Sequence, residues 1–149
     1  MNRINLKILL PLATLLTLLI GSAANSFINS DAWYQNLIKS SLNPPSFLFG
    51  IVWPILYILM GTVSYFKARE IYNLYLLQLL LNAIWSWIFF YFHQIELAFL
   101  DIILLIFINL LIVYKLLKDR NFLFVVMYTP YILWLIFASF LNYQIMILN

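Results

Sequence analysis

The apolar positions fall into five long runs rather than into the narrow stripes of a soluble helical protein. They cover about residues 4–24, 46–66, 71–92, 97–117 and 122–148. Each meets the length of about 20 residues that a helix needs to cross a hydrocarbon layer of about 30 Å. Backbone N–H and C=O groups find no water inside lipid, so runs of this length satisfy them only as α-helices. A membrane barrel would show short segments of strict alternation, and continuous apolar stretches such as residues 100–105 do not alternate. The pattern predicts an all-α integral membrane protein, one domain over residues 1–149 folded as a five-transmembrane-helix bundle.

Residues 25–45 form the longest connection. It holds Trp33-Tyr34 and a short amphipathic piece, with Trp33, Leu37 and Ile38 opposed to Gln35, Asn36 and Lys39. Asn43-Pro44-Pro45 follows as a helix-entry signal: Asn43 is expected to cap, and proline is tolerated at first helical positions, whose N–H groups are unpaired anyway. Two readings stand for this segment, a connector with interfacial aromatic anchors or a lid over a cavity. The first run also imitates a secretory signal, since Arg3 and Lys7 precede an apolar stretch that ends in Gly21-Ser22-Ala23-Ala24. A retained span is the primary reading; removal would leave four helices with the same orientation.

Composition agrees with a lipid solvent. Of 149 residues 66% are hydrophobic and 9% charged, more apolar surface than a soluble core of this size hides. The net charge of +3 does not indicate nucleic acid, because the basic residues form no interleaved patch. They sit at the ends of the runs. Arg3 and Lys7, Lys67 and Arg69, and Lys115, Lys118 and Arg120 share one side if every run crosses, and only Lys39 lies opposite. The positive-inside rule then puts the N-terminus in the cytoplasm, with the C-terminus and residues 25–45 outside. Cysteine is absent, which excludes disulfides and thiolate-held metals.

Polar groups inside apolar runs are expensive and face the bundle interior or a wet cavity. Gln78, Asn82 and Trp85 share one face of the third helix by their spacing. Tyr131, Trp134, Ala138, Leu141 and Asn142 do so on the fifth, and Phe49, Gly50, Trp53 and Tyr57 on the second. Such faces suit a cavity for a planar, mostly apolar molecule, but they equally suit interhelical hydrogen bonding and aromatic packing. Pro54 and Pro130 lie inside runs and displace the carbonyls of Gly50 and Val126. Asp101 is an intramembrane carboxylate and thereby a functional candidate, though its shallow depth favours a reach to interfacial water or neighbouring helix ends. His93, the single histidine, is an axial-ligand candidate for a metalloporphyrin that nothing else in the sequence supports. No catalytic constellation, phosphate loop or metal-ligand cluster is present, so hydrolytic and phosphoryl-transfer chemistry is not indicated.

In order along the chain, Trp33-Tyr34, Asn43-Pro44-Pro45-Ser46-Phe47, Gly50-Ile51-Val52-Trp53 and Leu56-Tyr57 resemble the first-loop and second-helix signature of the TspO/MBR family of translocator and tryptophan-rich sensory proteins. Gln78-Leu79-Leu80-Leu81-Asn82-Ala83-Ile84-Trp85 is similar to its Q-L-x-L-N-x-x-W motif, and Phe89-Phe90, Ala98 and Asp101 fit F-F…A-x-x-D. Pro130-Tyr131-Ile132-Leu133-Trp134, Phe137-Ala138 and Leu141-Asn142 resemble P-Y-x-x-W-x-x-F-A-x-x-L-N. Each motif is modest by itself, and four in register are specific.

The resemblance implies a five-helix bundle, often a homodimer, with a pocket under the first loop that binds porphyrins. It implies a ligand site of Phe49, Gly50, Trp53, Tyr57, Asn82, Trp85, Trp134, Ala138 and Leu141, with Trp33, Pro44 and Pro45 in the lid. In bacterial members the tryptophans matching Trp53 and Trp134 are linked to light-dependent tetrapyrrole breakdown; no separate cofactor or metal is implied. Leu42 and Phe47 replace family tryptophans near the lid, and Leu97 replaces a tryptophan of the animal drug pocket. The sterol-associated pattern needs a basic residue after Tyr143, yet Gln144-Ile145-Met146-Ile147-Leu148-Asn149 follows, which speaks against cholesterol. The expected protein is a multi-pass receptor or sensor of a bacterial cytoplasmic membrane that binds a tetrapyrrole. The alternatives are a photo-oxidative porphyrin-degrading enzyme acting through Trp53 and Trp134, and a ligand-independent scaffold.

Overall fold

The computed structural model describes residues 3–30 and 32–149, with the side chains of residues 3, 4, 25 and 27–30 outside that description. Six helices follow in order: α1 (Arg3–Ser30), α2 (Trp33–Asn36), α3 (Ser46–Phe66), α4 (Ala68–Phe90), α5 (Ile95–Lys118) and α6 (Phe122–Leu148). Five of them are long and apolar enough to cross a membrane. They form a closed ring in the order α1, α3, α6, α5, α4, and α3 also touches α4 across its centre. Successive long helices run antiparallel, so their short connections return the chain to alternate ends.

The described residues sharpen the predicted boundaries. α3 and α6 coincide with their apolar runs, whereas α1 continues to Ser30, beyond the predicted end at residue 24. Only Lys67 separates α3 from α4, and its N–H closes α3 on the Val63 carbonyl at 2.9 Å. The amphipathic piece of the long connection is helical for four residues alone. The expectation that Asn43 caps α3 is not met. Pro45 takes the N-cap position without a side-chain cap bond, while the Asn43 amide turns to the Pro44 carbonyl at 3.3 Å. Prolines fix extended ψ before the helix, so the capping register falls on a residue that has no polar side chain.

Two residues other than glycine are left-handed: His93 (φ 56°) in the turn between α4 and α5, and Arg120 (φ 55°), which takes the place after α5 that glycine usually fills. At the second, the Asn121 N–H reaches back to the Leu116 carbonyl at 3.0 Å.

One continuous core of aliphatic and aromatic side chains runs through the ring, including Leu10, Met60, Ile71, Leu105, Ile112 and Leu135. Large apolar side chains also cover the outside, among them Leu12, Leu16, Ile58, Leu100, Phe107 and Leu133. In lipid that outward surface costs nothing, so helix association must come from close packing and interhelical hydrogen bonds. The buried pairs Thr14–Tyr75 (2.7 Å, α1 to α4) and Tyr128–Asn109 (2.7 Å, α6 to α5) supply such bonds. Pro54 and Pro130 lie within α3 and α6 and are exposed on the lipid side, so neither ring intrudes on the interior.

Candidate functional site

Residues 49, 53 and 57 follow a helical repeat of four, which sets Phe49, Trp53 and Tyr57 on one face of α3. That face meets α6. Trp134 stands edge-on to Phe49 (ring centroids 5.7 Å) and to Trp53 (6.3 Å, interplanar angle 85°), and Phe137 adjoins it at 5.7 Å. Trp53 in turn leans on Tyr57 at 5.9 Å. Phe49, Trp53 and Trp134 are half-buried, and Gly50 is exposed. A Cβ built on Gly50 would meet no atom within 4 Å, so this exposed position faces open space. The indole Nε1 of Trp134 is buried and has no hydrogen-bond partner among the described residues. An unpaired buried donor of this kind lacks about 1–3 kcal/mol of hydrogen bonding that a suitable acceptor would restore.

Beneath the rings lies a buried polar chain. The Tyr57 hydroxyl donates to Asn82 Oδ1 at 2.5 Å, Asn82 Nδ2 donates to the Tyr131 hydroxyl at 2.6 Å, and that hydroxyl donates to Gln78 Oε1 at 3.0 Å. Three helices are thereby joined through one asparagine. Of the residues that the family resemblance implies for the ligand site, Tyr57, Asn82 and Leu141 are buried, while Ala138 is half-buried and packs against the same core.

Trp85 belongs to a second aromatic group. Its ring stacks on Phe89 (5.4 Å), and its Nε1 donates to Asn142 Oδ1 at 3.3 Å. Asn142 Nδ2 reaches the Ile95 carbonyl at 3.0 Å, so this side chain ties α4, α5 and α6 together at one end of the bundle. The long connection is seated here. Trp33 packs edge-on to Phe89 (5.8 Å) and stacks on His93 (4.1 Å, 15°), and Tyr34 meets Phe90 at 5.3 Å. Burial raises the Tyr34 pKa, with a hydrogen bond from Asn43 opposing it; burial lowers that of Lys39, whose ammonium lies 4.5 Å from the Tyr34 ring centroid. The Asn149 amide clasps the Ile38 backbone from both sides, accepting from its N–H at 2.9 Å and donating to its carbonyl at 3.0 Å. Pro44 is half-buried and Pro45 exposed.

The nominated residues thus divide between a ring cluster at the α3–α6 seam and a group under the connection, with Asn82 and its partners in the interior. Tyr131, a partner of Asn82, and Gln78, which accepts from Tyr131, were visible by spacing but carried no signal for which atoms they bind. Asp101 is half-buried, and its Oδ2 is buried without a partner among the described residues. No cluster of three or more His, Cys, Asp or Glu side chains that could hold a metal occurs among the described residues.

Five apolar helices around an aromatic and polar interior define a multi-pass α-helical membrane protein. The chain belongs to the TspO/MBR family, whose model matches residues 10–148. It is 37% identical over 148 residues to a tryptophan-rich protein TspO of Chlorobaculum tepidum, covering 90% of this chain and 91% of that one. A second protein of that description, from Archaeoglobus fulgidus, is 34% identical over 155 residues, covering 97% and 99%. The human translocator protein is 33% identical over 121 residues, covering 74% and 71%.

Proposed function

We propose that this protein is a membrane receptor or sensor for a tetrapyrrole, held between α3, α4 and α6. The proposed ligand site comprises Phe49, Gly50, Trp53, Tyr57, Asn82, Trp85, Trp134, Ala138 and Leu141, with Trp33, Pro44 and Pro45 in the lid. The observation that carries this reading is the Trp53–Trp134 contact, at 6.3 Å, beside a buried and unpartnered Trp134 N–H. Set at 85° to each other, the two indoles suit a flat conjugated ring that stacks on one and meets the edge of the other, and the Trp134 N–H suits an acceptor on it. The printed names of the relatives, tryptophan-rich sensory protein among them, support a sensory role. The family resemblance adds the porphyrin class and a homodimer in the bilayer.

Protoporphyrin IX titrated into the purified protein should quench tryptophan fluorescence saturably. Trp53→Phe and Trp134→Phe should each weaken binding by about fivefold, the worth of about 1 kcal/mol of aromatic contact. Wild-type affinity in both variants would remove the site assignment.

A second reading, photo-oxidative breakdown of the bound porphyrin, is favoured by the adjacency of two indoles and the Tyr57 phenol. Under illumination the porphyrin band should then decay faster than with Trp134→Phe, and equal decay rates would count against it. The ligand-independent scaffold is the outcome if no porphyrin binds at all.

A further inference from the structure

Gln78 is fully buried on α4, one turn before Asn82, and belongs to no part of the proposed ligand contact. An amide at that depth is expensive unless its atoms are used, and only one of them is. Its Oε1 accepts the Tyr131 hydrogen, while its Nε2 has no partner among the described residues. Leucine would fill the same volume with no unpaired donor. What glutamine supplies and leucine does not is the acceptor.

The consequence follows from valence. A phenol has one hydrogen to give, and an amide has an acceptor end and a donor end. Because Tyr131 gives its hydrogen to Gln78, its oxygen can only receive from Asn82, and that turns Nδ2 of Asn82 toward α6. Oδ1 of Asn82 is thereby left facing α3, where it accepts from Tyr57. We propose that Gln78 is a positioning residue that sets the direction of this chain and so decides which end of the Asn82 amide faces each wall of the site. Without an acceptor at position 78, the Tyr131 hydrogen has Asn82 Oδ1 as its nearest outlet. The asparagine then turns over and presents Nδ2 to Tyr57. Indirect action of this kind distinguishes Gln78 from a residue that touches ligand. The part of the proposal that concerns affinity rests on the tetrapyrrole reading; the part that concerns the amide does not.

The test uses the full chain in lipid nanodiscs with 15N-labelled asparagine, the Asn82 side-chain signal being identified by its loss in Asn82→Ser. Gln78→Leu should move the Asn82 amide signals and weaken protoporphyrin IX binding about fivefold, the scale of one net hydrogen bond. Gln78→Glu, which keeps an oxygen acceptor in the same place, should leave the signals and the affinity near wild type. Tyr131→Phe should reproduce the Gln78→Leu loss, and the double variant should bind no more weakly than either single one. Unmoved Asn82 signals in Gln78→Leu, equal losses in Gln78→Leu and Gln78→Glu, or additive losses would each overturn the proposal. If Gln78→Leu does not fold, Asn82 signals displaced in Gln78→Glu, which keeps the acceptor, overturn it instead. If the wild type binds no porphyrin, the ligand reading falls while the amide signals still decide the role of Gln78.

Discussion

Individual residues carry the tension in this molecule. Trp134 holds an indole N–H, Gln78 an amide nitrogen and Asp101 a carboxylate oxygen that are buried without partners among the described residues. They lie on three different helices, and each would be cheaper as leucine in a chain built only to span lipid. Gly50 makes the complementary case, because its exposed position has open space for a side chain. Gly50→Leu should therefore leave the thermal stability in detergent unchanged or raise it by up to about 1 kcal/mol, through improved helix propensity. It should nevertheless weaken porphyrin binding, because Gly50 belongs to the proposed ligand site beside Phe49. Unchanged affinity would show that Gly50 is not part of the site. Gly50 was nominated with Phe49, Trp53 and Tyr57 and by the family resemblance, and Pro54, which displaces its carbonyl, is exposed.

Among the elements, the connection from α1 to α3 is held more firmly than its polar sequence suggests. Aromatic contacts from Trp33 and Tyr34 seat it on the end of α4, and the Asn149 amide locks the Ile38 backbone. Those two bonds pair the connection much as a neighbouring strand would. Asn149→Ala removes both, a loss of about 1 kcal/mol for each bond. The Ile38 amide should then exchange hydrogen at least tenfold faster in nanodiscs, while amides buried in α4 and α5 exchange as before. Exchange at Ile38 equal to wild type would mean that the aromatic contacts alone hold the connection.

On the scale of the whole molecule, the antiparallel ring gathers the basic residues at one end. Lys7 on α1 lies 5.6 Å from the Tyr65 ring of α3, Lys67 lies 5.0 Å from the Phe124 ring of α6, and Lys115 of α5 donates to the Glu70 carbonyl of α4 at 3.2 Å. This end is expected to face the cytoplasm. Because the chain has no cysteine, Lys39→Cys and Lys118→Cys provide clean probes. In intact cells a membrane-impermeant maleimide should label Lys39→Cys and spare Lys118→Cys, and the reverse pattern would invert the orientation.

Hydropathy and charge placement, read along the chain, determined the membrane class, the number of spans and the shared end of the basic residues, because lipid leaves a long apolar segment only one way to satisfy its backbone. Helical spacing also placed Phe49, Trp53 and Tyr57 on one face, since a period of 3.6 is a property of the helix itself. Tertiary structure alone decided the rest. Spacing could not say which polar side chains bond between helices. In the structure Asn82, Gln78 and Asn142 do, whereas the Trp134 N–H has no partner among the described residues. Nor could it foresee that Trp85 joins the group beneath the connection, or that a residue 111 positions away closes on Ile38. Such pairings depend on the rotation of each helix about its axis and on the order of helices around the ring. Both are set by the fit of side chains between neighbours, which no single segment contains.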